Sequence, residues 1–345
     1  MVSPDTRLEL KRVARETLLA LGDILDEIHS FDATTSTLHD LEDTAPLDPK
    51  DCPGFLLPEN DEFAGRPGSR IRVFNMDTLD MAIKLQEEIA GSFTRVSSNP
   101  RPDHAAIDKS PQLSQPDDAK PTPPKDRPRN RVLVLNMASD ETPGGGWYKG
   151  SLAQEAAICY RSSLILSLYE EFYPLEERSA IYTPNVLLIR EAIDAGHRLI
   201  LPIGVPPSSP TAPLAPRDIT VDELPAISVI SVAAIRYPDL TFGKIYADQE
   251  DEECMKDKIR LVLRIAAKHG HTKLVLGALG CGVFRNPPAE VALCFLEVIR
   301  EMEFRGGWFE DLVFAVLDVK NGEKEGAKGT RNFETFFDVL DGKIV

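Results

Sequence analysis

The chain has 345 residues, of which 42% are hydrophobic and 27% charged; this is globular composition with ample material for a core, and it excludes a wholly disordered polymer. Its 55 acidic and 39 basic side chains leave a formal net charge of −16. That field repels DNA and RNA at long range, so general nucleic-acid binding is excluded and any polyanionic ligand has to be held by local donors such as main-chain amides and helix N-termini.

Length alone leaves one decorated domain or two small ones open. The cysteines, Cys52, Cys159, Cys254, Cys281 and Cys294, are odd in number and never form C-x-x-C, which argues against a disulfide framework or a structural zinc site and for a reducing compartment. Charges run through the N-terminus, and no later apolar run reaches bilayer-spanning length. A soluble protein of the cytosol or nucleus, with no membrane partner, is expected.

Apolar positions Leu8, Val13, Leu18, Leu19, Leu21, Ile24 and Leu25 among charges predict an amphipathic helix over 4–29 that packs on the body. Residues 30–68 are acidic and turn-rich, so a loosely ordered connection with at most short elements is expected. A strand over 70–74 follows, then turn and N-cap chemistry at 75–78 and a helix over 79–89. Residues 97–130 carry eight prolines among polar residues, which predicts a disordered insertion. The β-formers at 132–135 lead through a glycine-rich turn into a helix predicted over 151–169. Strands are expected at 185–190 and 199–205, a Pro-rich loop at 206–217, and a strand at 226–234. Beyond it the spacing predicts a helix over 255–269, a strand at 273–278, a helix over 289–300, a strand at 312–317 and a short helix over 333–340. Alternating strands and helices, with several continuous apolar strands, indicate an α/β fold whose central sheet is covered on both faces.

Two loops carry the functional argument. The first runs Asn136-Met137-Ala138-Ser139, then Gly144-Gly145-Gly146-Trp147, then Gln154-Glu155 in a predicted helix. Three consecutive glycines after a strand offer nothing to pack and suit close approach of backbone to a ligand, although a plain tight turn accounts for them as well. A strand, glycine turn and helix N-terminus together present free amides to phosphate or ribose oxygens. The second loop runs Gly277-Ala278-Leu279-Gly280-Cys281-Gly282-Val283-Phe284-Arg285-Asn286-Pro287-Pro288. It matches neither the Rossmann G-x-G-x-x-G nor the P-loop. Two such turns at carboxyl ends of strands in one α/β sheet converge on one crevice, where a pyrophosphate between two sugars is the natural guest.

The GGG at 144–146, followed after seven residues by Gln154-Glu155 and a helix reading A-I-C-Y-R-S-S-L, resembles the GGG-x(6 to 8)-QEE signature of bacterial and fungal poly(ADP-ribose) glycohydrolases. V-F-N-M-D-T-L-D at 73–80, L-N-M-A-S at 135–139 and G-A-L-G-C-G-V-F-R-N-P-P extend the likeness over residues 70–318. The resemblance implies a macrodomain: a three-layer α/β/α sandwich around a central mixed sheet, occupying 69–345, with an N-terminal helical extension and acidic segment over 1–68. It implies a monomer that takes ADP-ribose, or poly(ADP-ribose) on modified proteins, without cofactor. By the same likeness Asn136 holds the distal ribose, Gly144, Gly145 and Gly146 approach its anomeric centre, and Gly280, Gly282 and Val283 cradle the diphosphate. Phe284 is then a stacking platform or a core aromatic, Asn286 a ligand contact or a helix cap, Arg285 a phosphate partner or a solvated side chain, and Trp147 and Tyr148 walls of the ribose site or packing for the next helix.

In that family the second Glu of QEE protonates the departing ribose oxygen, and here the position is Ala156. A methyl group donates no proton, and general acid help is commonly worth about 10²- to 10⁴-fold. Neighbouring helix residues point about 100° apart, so Glu155 is expected to bind ribose hydroxyls rather than replace the acid. The expectation is a competent binder with crippled hydrolysis of ribose-ribose bonds, by natural loss or deliberate replacement. The alternatives are a non-catalytic ADP-ribose reader and a hydrolase of mono-ADP-ribosylated side chains. His269-Gly270-His271 reads as a polar helix terminus rather than a metal site, and Cys281 as a buried filler rather than a nucleophile.

Overall fold

The computed structural model describes residues 3–28, 31–96, 131–201, 220–242, 244–318 and 331–345, together with 203, 210 and 212. The Pro-rich stretch at 97–130 and most of 206–217 lie outside the described residues.

The strands are β1 (Thr37–Asp40), β2 (Ile71–Phe74), β3 (Leu133–Ala138), β4 (Ser179–Leu187), β5 (Ala226–Ala233), β6 (Lys273–Leu276) and β7 (Asp311–Ala315). The helices are α1 (Pro4–Glu27), α2 (Thr78–Val96), α3 (Gln154–Arg161), α4 (Gln249–Lys268), α5 (Pro288–Ile299) and α6 (Asn332–Leu340). The strands form one mixed sheet in the order β1-β4-β5-β3-β6-β7-β2. β1 and β4 run antiparallel to their neighbours, while β5, β3, β6, β7 and β2 are mutually parallel.

Period-two alternation splits the sheet residues between two cores. Leu133, Leu135, Leu274, Leu276, Leu312 and Phe314 pack with Met255, Ile259, Val262, Val291, Phe295 and Phe336 of α4, α5 and α6. Val134, Val275, Val313 and Ala315 face the other way, onto Val13 of α1, Leu79, Ala82 and Leu85 of α2, and Ala156, Cys159 and Tyr160 of α3. The result is the α/β/α sandwich of a macrodomain-like fold.

Several elements differ from the periodicity. The buried stripe of α1 is Leu10, Val13, Ala14, Thr17, Ala20, Leu21 and Ile24, whereas Leu8, Leu18 and Leu19 face solvent. The acidic segment contributes β1 as the sheet's edge strand beside β4. The helix expected over 151–169 is only α3, because the side chains of Ser162 and Ser163 take backbone roles: Ser162 Oγ donates to the Ile158 carbonyl at 2.8 Å and Ser163 Oγ accepts from the Leu187 amide at 2.9 Å. Such local bonds compete with the helical ladder, and two short 3-10 turns follow instead. No strand forms at 199–201; Leu199 makes a single antiparallel bridge to Arg190, and Leu199, Ile200 and Leu201 are spent on a third apolar cluster under Leu21 and Ile24 of α1. β4 starts earlier than its apolar run suggested, at Ser179.

The two histidines of H-G-H belong to a ring stack. His269 lies 3.9 Å from Tyr182, centroid to centroid, and His271 Nε2 is 2.9 Å from the Tyr182 hydroxyl with Nδ1 3.2 Å from the Arg131 carbonyl. Among the described residues no group of three or more His, Cys, Asp or Glu is placed to hold a metal ion, and none of the described helices is long and apolar enough to cross a membrane.

Burial lowers His271 to about 4, with His269 and Arg131 adding repulsion to a protonated ring, and lowers His197, beside Arg190 and Arg161, to about 3. Both folded values lie below the unfolded one, so the stability they carry is present above pH 6.5 and is lost as pH falls. Urea unfolding at pH 6.5 and 4.5 is expected to show a loss of about 2–3 kcal/mol per histidine, reduced accordingly in His271→Gln.

Candidate ligand-binding cleft

β5, β3 and β6 are adjacent and parallel, so the segments leaving their C-terminal ends emerge on one edge of the sheet. These segments are the first glycine loop after β3, residues 234–237 after β5, and the second glycine loop after β6. They enclose a cavity of about 710 Å³. Both glycine turns line it, through Gly144, Gly145 and Gly146 on one side and Gly280, Gly282, Val283 and Phe284 on the other. Its floor is the start of α3, with Gln154, Glu155 and Ala156. No side chain caps α3, so the first amides of this helix remain available to an anion.

The carboxyl group of Glu155 organises the first turn. Its Oε2 accepts from the Ser139 amide at 2.8 Å, its Oε1 lies 3.4 Å from Asn136 Nδ2, and the Gly144 N–H faces the same carboxylate. Gly145 passes so close that a Cβ there would stand 2.9 Å from Oε2, with φ at +53°. Burial raises Glu155 to about 7 against the lowering effect of these three donors. Gly145→Ala is therefore expected to cost about 1–3 kcal/mol in backbone strain and to displace the carboxylate; a lower melting temperature together with weaker ligand binding is the outcome to look for.

Gln154 is tied mainly to β3: Oε1 accepts from Met137 N and Nε2 donates to Leu135 O, both at 2.9 Å, with Nε2 also 3.4 Å from Thr78 Oγ1 of α2. It ties α3 to the strand as a neighbouring strand would. Asn136 is fully buried and does not line the cavity; Nδ2 donates to Ser231 Oγ at 2.9 Å on the adjacent strand, and Oδ1 has no partner among the described residues. Trp147 is buried behind the turn, where its carbonyl accepts from the Tyr160 hydroxyl at 2.6 Å, while Tyr148 is half exposed.

Asn286 is a staple of the second turn. Its Nδ2 donates to the carbonyls of Ile235 at 2.6 Å and Gly280 at 3.3 Å, and its Oδ1 accepts from the Tyr246 hydroxyl at 2.9 Å. The conformation this needs leaves no room at Gly280, where a Cβ would meet Asn286 Nδ2 at 2.4 Å. Arg285 turns away with φ +61° and lies over the ring of Tyr237. Thus of the residues singled out in the sequence, Gly144–Gly146, Gln154, Glu155, Ala156, Gly280, Gly282, Val283 and Phe284 share the cavity. Asn136, Trp147, Arg285 and Asn286 stand behind it or beside it. Cys281 is buried, and burial pushes its thiol up, which leaves it inert as a nucleophile.

Sequence reasoning missed Glu141, Thr142, Lys149, Ser151 and Arg236 in the lining. Arg236 was recoverable, because it lies three residues beyond the apolar run of β5, on the edge where ligands of parallel sheets bind. Lys149 makes no ion pair among the described residues, whereas Arg236 is paired with Asp140. Ala156 is buried and presents only a methyl group; Glu141 and Glu155 are the carboxylates among the described lining residues.

Fold and cleft together define a macrodomain-like α/β protein with a ligand cavity at the carboxyl ends of its parallel strands. Residues 58–191, which carry the first glycine turn and α3, match the family model described as microbial-type PARG (poly(ADP-ribose) glycohydrolase), catalytic domain. Among solved structures it is similar to the Thermomonospora curvata enzyme bound to the inhibitor ADP-HPD, with TM-score 0.59 and 23% identity over 96% of this chain and 99% of the other. The same enzyme in a second structure gives TM-score 0.58 and 24% identity with the same coverage. PARG from Deinococcus radiodurans in complex with ADP-ribose gives TM-score 0.50 and 26% identity over 79% and 84% of the two chains. No curated protein matches the chain.

Proposed function

We propose that the cleft takes ADP-ribose, or the terminal unit of poly(ADP-ribose) on modified proteins in cytosol or nucleus, and that the chain is a monomeric glycohydrolase of ribose-ribose bonds slowed by Ala156. The observation that carries this reading is the convergence of both glycine turns on one cavity floored by Glu155 and Ala156. The amides of the second turn and of the α3 N-terminus offer donors to a diphosphate in a chain whose overall charge repels it. Phe284 offers a face to a sugar or base, and the buried carboxylate of Glu155 accepts from ribose hydroxyls. The D. radiodurans relative is a complex with ADP-ribose, which supports the choice of ligand.

Hydrolysis of the glycosidic bond passes through an oxocarbenium-like transition state in which the leaving oxygen takes a proton. Glu155 has its oxygens committed to Ser139, Gly144 and Asn136, and position 156 holds none. The same methyl group favours a second reading, a non-catalytic reader, because loss of an acid preserves the pocket's shape while removing turnover. Calorimetry with ADP-ribose beside an assay of polymer hydrolysis tests both. Binding with slow turnover is expected; absence of binding overturns the proposal.

A further inference from the structure

We infer that Arg236 is a positioning residue of this cleft: pinned by Asp140, its guanidinium fixes the Phe284 ring as the platform on which the ligand stacks. The inference rests on the ADP-ribose reading for the identity of that ligand, but not for the geometry.

Arg236 follows β5, Asp140 follows β3 and Phe284 sits in the loop after β6, so one side chain joins segments from three adjacent strands. The guanidinium is forked onto Asp140, with Nε donating to Oδ2 at 3.0 Å and Nη2 donating to Oδ1. Its Cζ stands 4.5 Å from the centroid of the Phe284 ring. The backbone locks the same junction: Tyr237 N donates to Phe284 O at 2.9 Å, and Asn286 Nδ2 to Ile235 O. Phe284 also leans on the apolar core while lining the cavity, so Arg236 supplies the polar half of the ring's seat.

Charge accounting separates this role from that of a phosphate clamp. Asp140 lies in a two-point bond with Arg236 and Glu141 Oε1 is 3.6 Å from Nη2; two carboxylates against one guanidinium leave no net positive field for a diphosphate. Arg236 also holds the Asp140 carboxyl below its ordinary range, as a tight pair should. What remains is geometry, a planar cation stacked on an aromatic face and oriented by a forked carboxylate. Lysine has neither the plane nor the fork.

The test has two arms on the full chain. In the ligand-free protein, NMR of selectively labelled phenylalanine, with Phe284 assigned by its disappearance in Phe284→Ala, is expected to show an ordered ring that becomes mobile in Arg236→Ala and in Asp140→Asn. Calorimetry with ADP-ribose is expected to show a loss of about tenfold in affinity for Arg236→Ala, an intermediate loss for Arg236→Lys, and a double variant Arg236→Ala/Phe284→Ala no weaker than Phe284→Ala alone. Melting temperatures are expected to stay close to the parent's, since the pair is partly exposed. An unchanged ring signal, or losses that simply add, overturns the inference. If the parent chain itself gives no heat with ADP-ribose, the ligand assignment falls, and the NMR arm still decides whether Arg236 seats the ring.

Discussion

Ala156→Glu is expected to raise the rate of poly(ADP-ribose) hydrolysis by about 10²- to 10⁴-fold, the usual worth of a general acid acting on a poor leaving group. The position suits an acid. It lies on the cavity floor, 1% exposed, where desolvation raises a carboxyl toward neutrality, as it does for Glu155 next to it. Two neighbouring carboxylates in one dry site do not ionise independently; one keeps its proton while the other is charged. Glu155, with two amides and an amide side chain donating to it, is the member favoured to ionise, so the introduced glutamate retains the proton it delivers. Ala156→Gln supplies similar volume without an acid and is expected to stay as slow as the parent. Initial rates on polymer, read beside ADP-ribose affinity, check this. A glutamate variant that binds ADP-ribose well and remains inert sinks the hydrolase reading and leaves the reader.

The sheet was legible because its strands are continuous apolar runs, and alternation within them assigns Leu133 and Leu135 to one face and Val134 to the other without further information. The first glycine turn was legible because three glycines in a row after a strand offer nothing to pack, and the second because Gly277, Gly280 and Gly282 cluster at the end of another apolar run. What escaped depends on contacts between distant segments. The edge strand β1 is four residues long with a half-exposed pattern, too short for periodicity to separate from a turn. α3 ends early because of two serines whose hydroxyls bond to Ile158 and Leu187, and no window of sequence shows the second partner. In the cleft, Asn286 is equally good as cap or contact on paper. The structure shows it holding Ile235, Gly280 and Tyr246, three residues spread over 46 positions of chain. Arg236 escaped because its partners Asp140 and Phe284 are brought to it only by the strand order β5-β3-β6.

Glu155→Gln is expected to act in opposite directions on stability and on binding, and pH separates the two. The folded value of Glu155, about 7, lies above the ordinary 4.5 because burial outweighs its donors. The native state therefore holds this proton more tightly than the unfolded chain. The stability tied to it is full below pH 4.5, is lost as pH rises toward 7, and amounts to something on the order of 3 kcal/mol at 1.4 kcal/mol per tenfold in proton affinity. This slope opposes that of His197 and His271, which lose stability on the acid side, so the two sets together place the maximum of stability between them. Glutamine does not ionise, and the variant is expected to be more stable relative to the parent at pH 8 than at pH 5 in parallel urea titrations. Binding runs the other way. Ribose hydroxyls donate best to the ionised carboxylate, so parental affinity for ADP-ribose is expected to rise as pH passes through about 7, while the glutamine variant binds at least tenfold more weakly at pH 8 and shows no such rise. If affinity is flat with pH in both proteins, Glu155 serves only to hold Ser139 and Gly144, and the ligand's hydroxyls have another partner.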